Sequence, residues 1–217
     1  MQHPVTIAST LLLVISAIAA YAADQSVWDQ CNQIRDTDAS ITACTQILQA
    51  PSETASDRAI AYYIRGGAYQ ARGDSDNAIA DYSKAIEIDP RYANAYVGRG
   101  IVYRVKGDSD RAITEFTKAI EIAPRDADLY EKRGNAFETK GDHNRAIADF
   151  SKAIEINPHD AVFFNNRGIA YRTNGEIDRA IGDFTQAIEI NPWYAEAFVR
   201  RGTVYRVNGD SDRAIAD

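Results

Sequence analysis

Along Ala93 to Asp126 the apolar positions Tyr96, Gly100 and Tyr103 recur at i, i+4 and i+7, and after Gly107 the same spacing returns as Ala112, Phe116 and Ala119. This periodicity predicts two amphipathic helices of about three turns each. Gly107 suits a left-handed residue ending the first helix, and the acidic Asp108 and Asp110 favour the positive N-terminus of the second. Pro124 then closes the second helix. Gly100, Ala112 and Ala119 place small residues where two helices approach closely, while Tyr103 and Phe116 fill the space around them. Helices this short are marginal alone in water, so their stability must come from stacking on neighbours.

The same pair of helices is written several times over, with a period of 34 residues. Its clearest trace is the glycine column Gly66, Gly100, Gly134, Gly168 and Gly202, each preceded by an arginine. A second glycine column runs through Gly73, Gly107, Gly141, Gly175 and Gly209, and prolines recur at Pro90, Pro124, Pro158 and Pro192. Fixed-period repetition predicts a stacked-repeat architecture with an extended surface rather than an enclosed pocket.

The unit Tyr62, Gly66, Tyr69, Ala78, Tyr82, Ala85, Pro90 resembles the signature of the tetratricopeptide repeat (TPR) family, and three further units match it. The resemblance covers about residues 59 to 217 and implies an all-α fold, a right-handed superhelical solenoid of antiparallel helix pairs. Full units are expected at 59–92, 93–126, 127–160 and 161–194, with a partial fifth at 195–217 whose second helix is incomplete. One departure is consistent: arginine replaces the family's usual leucine before the glycine, at Arg65, Arg99, Arg133, Arg167 and Arg201. An acidic column of the same period, Asp81, Glu115, Asp149, Asp183 and Asp217, is placed to pair with it. Partly exposed pairs of this kind contribute only about 0 to 1 kcal/mol each, and a charge that recurs once per repeat reads as scaffold.

Residues 1–22 read as a secretory signal peptide: they carry no Asp, Glu, Lys or Arg, are most apolar around Leu11 to Ala20, and end in Ala20-Tyr21-Ala22, an A-x-A cleavage pattern. An uncleaved membrane anchor is the alternative, since only the terminal amine and His3 supply positive charge, but Thr6, Ser9, Thr10 and Ser16 interrupt the run a spanning helix would need. A periplasmic or secreted location follows, with no membrane span after cleavage.

The two cysteines lie just beyond. Ile41 to Ile47 overlays Ile79 to Ala85, so Cys44 takes the place of Tyr82 and, at the same offset, Cys31 that of Tyr69. Residues 26–58 are thus expected to form a degenerate helix pair and linker, with helices near Ser26 to Arg35 and Asp38 to Ala50. Both cysteines replace large residues that meet between two helices, and an even count in an exported chain points to a disulfide. Free core thiols are the rival reading; a metal site lacks further ligands. By loop entropy such a bridge stabilises by roughly 3 kcal/mol.

At the other end the chain stops within a second helix, which would leave Phe198, Val204 and Tyr205 under-covered. Either the array continues in a longer protein, or this end serves docking or self-association. No catalytic constellation, cofactor motif or metal-ligand cluster is evident: His3, His143 and His159 have no partner at ligand spacing. A formal charge of −7 disfavours nucleic acid as partner.

Binding a protein or peptide is therefore the expected function, and the family resemblance implies where. First helices line a concave groove, and side chains one turn either side of the glycine column face it. Transferred here, that gives Tyr63, Val97 and Ile101, then Lys132 and Asn135, then Asn166 and Arg172, and finally Arg200 and Arg206. The groove is expected to run from apolar to polar with a cationic excess, with an acidic partner segment toward the arginines. The family's lysine and asparagine clamp for a terminal carboxylate does not fit, because Glu131 and Glu196 occupy the lysine places. A self-assembling structural element, or the repeat region of a longer envelope protein or enzyme, are the alternatives to a non-catalytic scaffold.

Overall fold

The repeated pattern of apolar positions becomes twelve helices and no strand among the described residues, which in this computed structural model are 25–33, 35–51 and 53–216. They are α1 (25–31), α2 (Thr37–Gln49), α3 (Ala55–Ala71), α4 (Ser75–Ile88), α5 (Ala93–Val105), α6 (Ser109–Ile122), α7 (Ala127–Lys140), α8 (His143–Ile156), α9 (Ala161–Thr173), α10 (Ile177–Ile190), α11 (Ala195–Val207) and α12 (Ser211–Ala216). The expected signal segment lies outside the described residues. Contacts divide the chain into two compact units, one ending at Gly98 and one starting at Arg99. Within the first, α3 packs on α2 and α4; within the second, each helix from α6 to α12 packs on the next, and α9 also touches α7 and α11. Among the described residues no helix is long and apolar enough to cross a membrane.

The turns at Gly73, Gly107, Gly141 and Gly209 share one design. Gly141 sits at φ 81°, in the left-handed region that side chains avoid, and lets the Asp142 amide reach back to the Phe137 carbonyl at 2.9 Å. Asp142 then caps α8, its carboxylate accepting from the Arg145 amide at 3.2 Å. Asp74, Asp108 and Asp210 do the same for α4, α6 and α12. The helices carrying the acidic column end at isoleucine two residues before each proline, and the residue between, such as Asp89 at φ −126° and ψ 95°, is extended as a pre-proline position requires.

Glycine and aromatic residues lock the two helices of a pair. Phe116, Phe150 and Phe184 are fully buried. A Cβ on Gly100, Gly134 or Gly168 would lie 2.7–2.8 Å from the facing ring, so only glycine permits the approach. The arginine before each glycine does the electrostatic half. Arg65, Arg133 and Arg167 each fork onto both oxygens of Asp81, Asp149 and Asp183, at 2.7–2.9 Å. Glu115, one methylene longer, instead meets a single nitrogen of Arg99 with both oxygens, at 2.8 and 3.0 Å. The hydrogen bonds from Asp81, Asp149 and Asp183 hold the Arg65, Arg133 and Arg167 guanidinium groups above their ordinary value against the opposing effect of burial.

The structure revises the expected energetics of this ladder. Asp81, Glu115, Asp149 and Asp183 are only 5–8% exposed, not half-solvated, and Asp217 lies outside the described residues. Four of the arginines, moreover, reach the preceding pair: Arg65 donates to Thr45 at 2.8 Å, Arg133 to Thr117 at 3.1 Å, Arg167 to Ser151 at 3.1 Å and Arg201 to Thr185 at 3.0 Å. A buried carboxylate left without its arginine is an uncompensated charge, so the cost of breaking a pair is far above that of a surface ion pair.

The N-terminal pair departs from the others. Cys31 and Cys44 are joined, with Cα atoms 4.9 Å apart, and both are fully buried among Ala43, Ile47 and Ala61, with Val27, Trp28, Leu48 and Ile64 packed around them. The Ser40 hydroxyl donates to the Cys31 carbonyl at 2.5 Å. α1 stops at Cys31, short of the expected Arg35, and Arg35 stands where other first helices are followed by a left-handed glycine. At the far end the expectation of under-covered residues needs correction. Val204 is 2% exposed, packed with Ala180 and Phe184, and Tyr205 is buried with the Arg213 guanidinium 4.6 Å from its ring; only Phe198 is half-covered. The preceding helices and the short α12 cover Val204 and Tyr205.

Replacing Arg133 by Ala should lower stability by about 3–5 kcal/mol in urea unfolding, whereas Arg133→Met combined with Asp149→Leu should recover most of the loss. The cap at Asp142 makes a pH-dependent prediction. Hydrogen bonds from the Arg145 side chain and then its amide hold the Asp142 carboxyl below its ordinary 3.8. A depressed folded value means stability that is fully present above that ordinary value and lost as pH falls through the folded one. Asp142→Ala should thus melt below the wild type at pH 7, and the gap should close once acid protonates the wild-type carboxyl.

Candidate functional site

The exposed faces of the first helices carry the side chains that do not follow the repeat, and each unit presents its own set. In the unit ending at Gly98, Tyr63 is half-buried on α3, its ring 5.1 Å from Tyr92 and 5.9 Å from Tyr82. Burial, then the neighbouring Tyr63, pushes the Tyr92 hydroxyl up to about 12, and the same causes raise Tyr82 further. Tyr82 holds the place of the buried phenylalanines and donates its hydroxyl to Gln70 at 2.9 Å. Its ring lies against Gly98, where a Cβ would fall 2.5 Å from Cζ. Later units have Lys132, Asn166 and Arg200 in that column, so this exception to the groove pattern has a packing cause. Val97 is half-buried on the first turn of α5.

In the unit from Arg99 on, Ile101 is half-buried, and two glutamates organise the polar residues. Glu131 accepts from the amide of Asn135 and, at 3.0 Å, from that of Asn166, with the Lys132 ammonium 4.0 Å away. Glu196 pairs with Arg200, accepting from its Nε at 2.8 Å. Four of the sequence-predicted binding residues are thus already engaged by carboxylates on the same surface. Burial, then the Glu196 charge, raises the Tyr194 hydroxyl beside them, with Asp160 and Glu131 adding to it.

Arg172 and Arg206 behave differently. Both lie in the last turn of their helices, α9 and α11, where the helix C-terminus favours a cation, and neither has an ion-pair partner among the described residues. Arg104 of α5 occupies the same column, is equally unpaired and escaped the sequence reading, although the 34-residue period leads straight to it. Of the other members, Gln70 accepts from Tyr82 and Glu138 meets the His143 Nδ1 at 2.8 Å. Arg172 also borders a small depression with Ile177, Thr203, Val204 and Val207, and Val207 is exposed. An unpaired guanidinium beside apolar surface suits an acidic chain carrying some apolar side chains.

An all-α array of helix pairs with this glycine and aromatic register defines a helical repeat protein. Models of the TPR repeat match residues 66–107 and 100–141, and those of the tetratricopeptide repeat match 127–160 and 161–194. The chain belongs to the tetratricopeptide repeat family. Among solved structures it is similar to MamA, at 28% identity over 70% of this chain and 88% of that one, TM-score 0.65. YrrB, described as a TPR protein with an unusual peptide-binding site, is 27% identical over 81% of this chain and 89% of its own, TM-score 0.65. A tetratricopeptide repeat protein from Parabacteroides merdae, at 17% identity over 88% and 74%, TM-score 0.75, shares the fold. No curated protein matches the sequence. The TPR fold supports a protein–protein interaction scaffold, and its members are generally non-catalytic.

The packing of Tyr82 is open to a direct check. Gly98→Ala should destabilise by about 1–2 kcal/mol in urea unfolding despite alanine's better helix propensity, because the ring it meets is buried. Gly182→Ala, in α10 with nothing within 4 Å, should instead stabilise by about 0.5–1 kcal/mol.

Proposed function

We propose that this protein is a non-catalytic scaffold that holds an extended, acidic partner segment on the first-helix face of the unit from Arg99 on, in an exported, oxidising compartment. The observation that carries the reading is the contrast among its arginines. Arg65, Arg99, Arg133 and Arg167 are consumed by buried carboxylates, Arg200 is neutralised by Glu196, and Arg172 and Arg206 stand unpaired in one column. The peptide-binding site for which YrrB is described is consistent with such use of the fold. Export is supported by the Cys31–Cys44 disulfide and by the apolar, charge-free start of the chain. Self-association is the second reading, favoured by the exposed Val199, Val207 and Ile215 on the last two helices.

The test is crosslinking in cells to identify the partner, followed by titration of its purified acidic segment. Arg172→Glu with Arg206→Glu should weaken binding at least tenfold and flatten its dependence on salt. Unchanged affinity would remove the arginine column from the mechanism. A mass that doubles with concentration in the absence of partner would favour self-association.

A further inference from the structure

In the unit ending at Gly98, α3 and the disulfide-linked hairpin leave a cleft of about 310 Å³ between them. Its walls are Cys31 and Asn32 at the end of α1 and Tyr63, Ile64, Gly67 and Ala71 of α3. Two exceptions to the repeat open it. Gly67 stands in the column of Ile101, Asn135, Ile169 and Thr203, and Ala71 in that of Val105, Thr139, Thr173 and Val207. The two are one helical turn apart, so the missing side chains coincide on one face.

The fold does not require this glycine. A Cβ on Gly67 would meet only the Tyr82 hydroxyl, at 3.7 Å, in contrast with the close contacts at Gly66 and Gly98. A glycine inside a helix is destabilising relative to alanine, so packing gives no reason to keep it. What it leaves is an apolar recess with no charged residue in its lining, and beside it the exposed Asn32 carboxamide. A carboxamide offers both a donor and an acceptor, the pair that a peptide group needs. The volume lies at the low end of ligand sites, about 300–1,000 Å³, which suits one side chain better than a cofactor.

We propose that this cleft receives one leucine- or phenylalanine-sized side chain of an extended partner peptide, whose backbone pairs with Asn32. The uncharged lining selects an uncharged anchor, and the disulfide holds the hairpin wall in place beforehand. This rests on the reading of the protein as a peptide-binding scaffold but uses residues separate from the arginine column.

Random heptapeptides displayed on phage and selected on the oxidised full chain provide the probe. The recovered sequences should share one Leu, Ile, Met or Phe at a fixed place, and the best of them, made as a synthetic peptide, should lose at least tenfold in affinity on Gly67→Ile. That substitution installs the residue found at Ile101 and Ile169, and a melting temperature equal to or above the wild type shows that it folds. Asn32→Ala should weaken the same peptide about threefold, and Arg172→Glu with Arg206→Glu should leave it unchanged. Peptides indifferent to Gly67→Ile, or no selected peptide at all, overturn the cleft. Acidic peptides lost only on the arginine substitutions overturn it while leaving the arginine reading intact.

Discussion

Each of four helix pairs buries one carboxylate, and the rest of the structure is arranged around neutralising it. Asp81, Glu115, Asp149 and Asp183 sit almost out of water, where an ion without a partner is untenable. The arginine that meets each of them must come from the facing helix, and it does so from the position beside the glycine that admits the aromatic ring. One guanidinium therefore joins the two helices of a pair and, through Thr117, Ser151 or Thr185, the pair before it. Packing and charge select the same register. A slip of one residue would remove the glycine from the ring and the arginine from its acid together.

That division of labour leaves the first-helix faces as the surface on which the units differ. Residues committed to the ladder and the ring contacts have no freedom to vary, whereas outward positions on α7, α9 and α11 are constrained only by their neighbours on the surface. There Glu131 and Glu196 satisfy the nearby amides and Arg200, which lowers the local charge without burying it. Arg104, Arg172 and Arg206 remain as cations whose only internal favour is the helix C-terminus. Their electrostatic contribution to folding is small.

The N-terminal hairpin solves a different problem. It lacks the buried aromatic and the left-handed glycine of the regular pairs, so glycine-ring interlock is missing, and a covalent bond takes its place between the two positions that large side chains would have occupied. Small residues on the facing side of α3 then leave space rather than contacts. The hairpin is at once a stabilised end and one wall of a recess.

The fold class was legible in the chain because its causes are local and repeated: the spacing of Gly100, Ala112, Phe116 and Pro124 states a helix pair, and five glycines at one interval state an array. The neighbourhood of Cys31 and Cys44 followed from the same arithmetic. Burial could not be read this way. The charge columns looked half-solvated, and only packing shows that Asp149 is enclosed and that Arg133 reaches Thr117. Nor could occupancy: Lys132, Asn135, Asn166 and Arg200 have the chemistry of binding residues, yet Glu131 and Glu196 engage them, while Arg172 and Arg206, of the same residue type as Arg200, stay unpaired. Gly67 and Gly98 look alike as letters, yet a Cβ on the first would only touch the Tyr82 hydroxyl at 3.7 Å, while the second lies under the Tyr82 ring. Periodicity along the chain determines which helices form and how they register, because those depend on neighbours a few residues away. Which side chains are spent inside the molecule and which are left for a partner depends on distances between helices, and those exist only once the chain has folded.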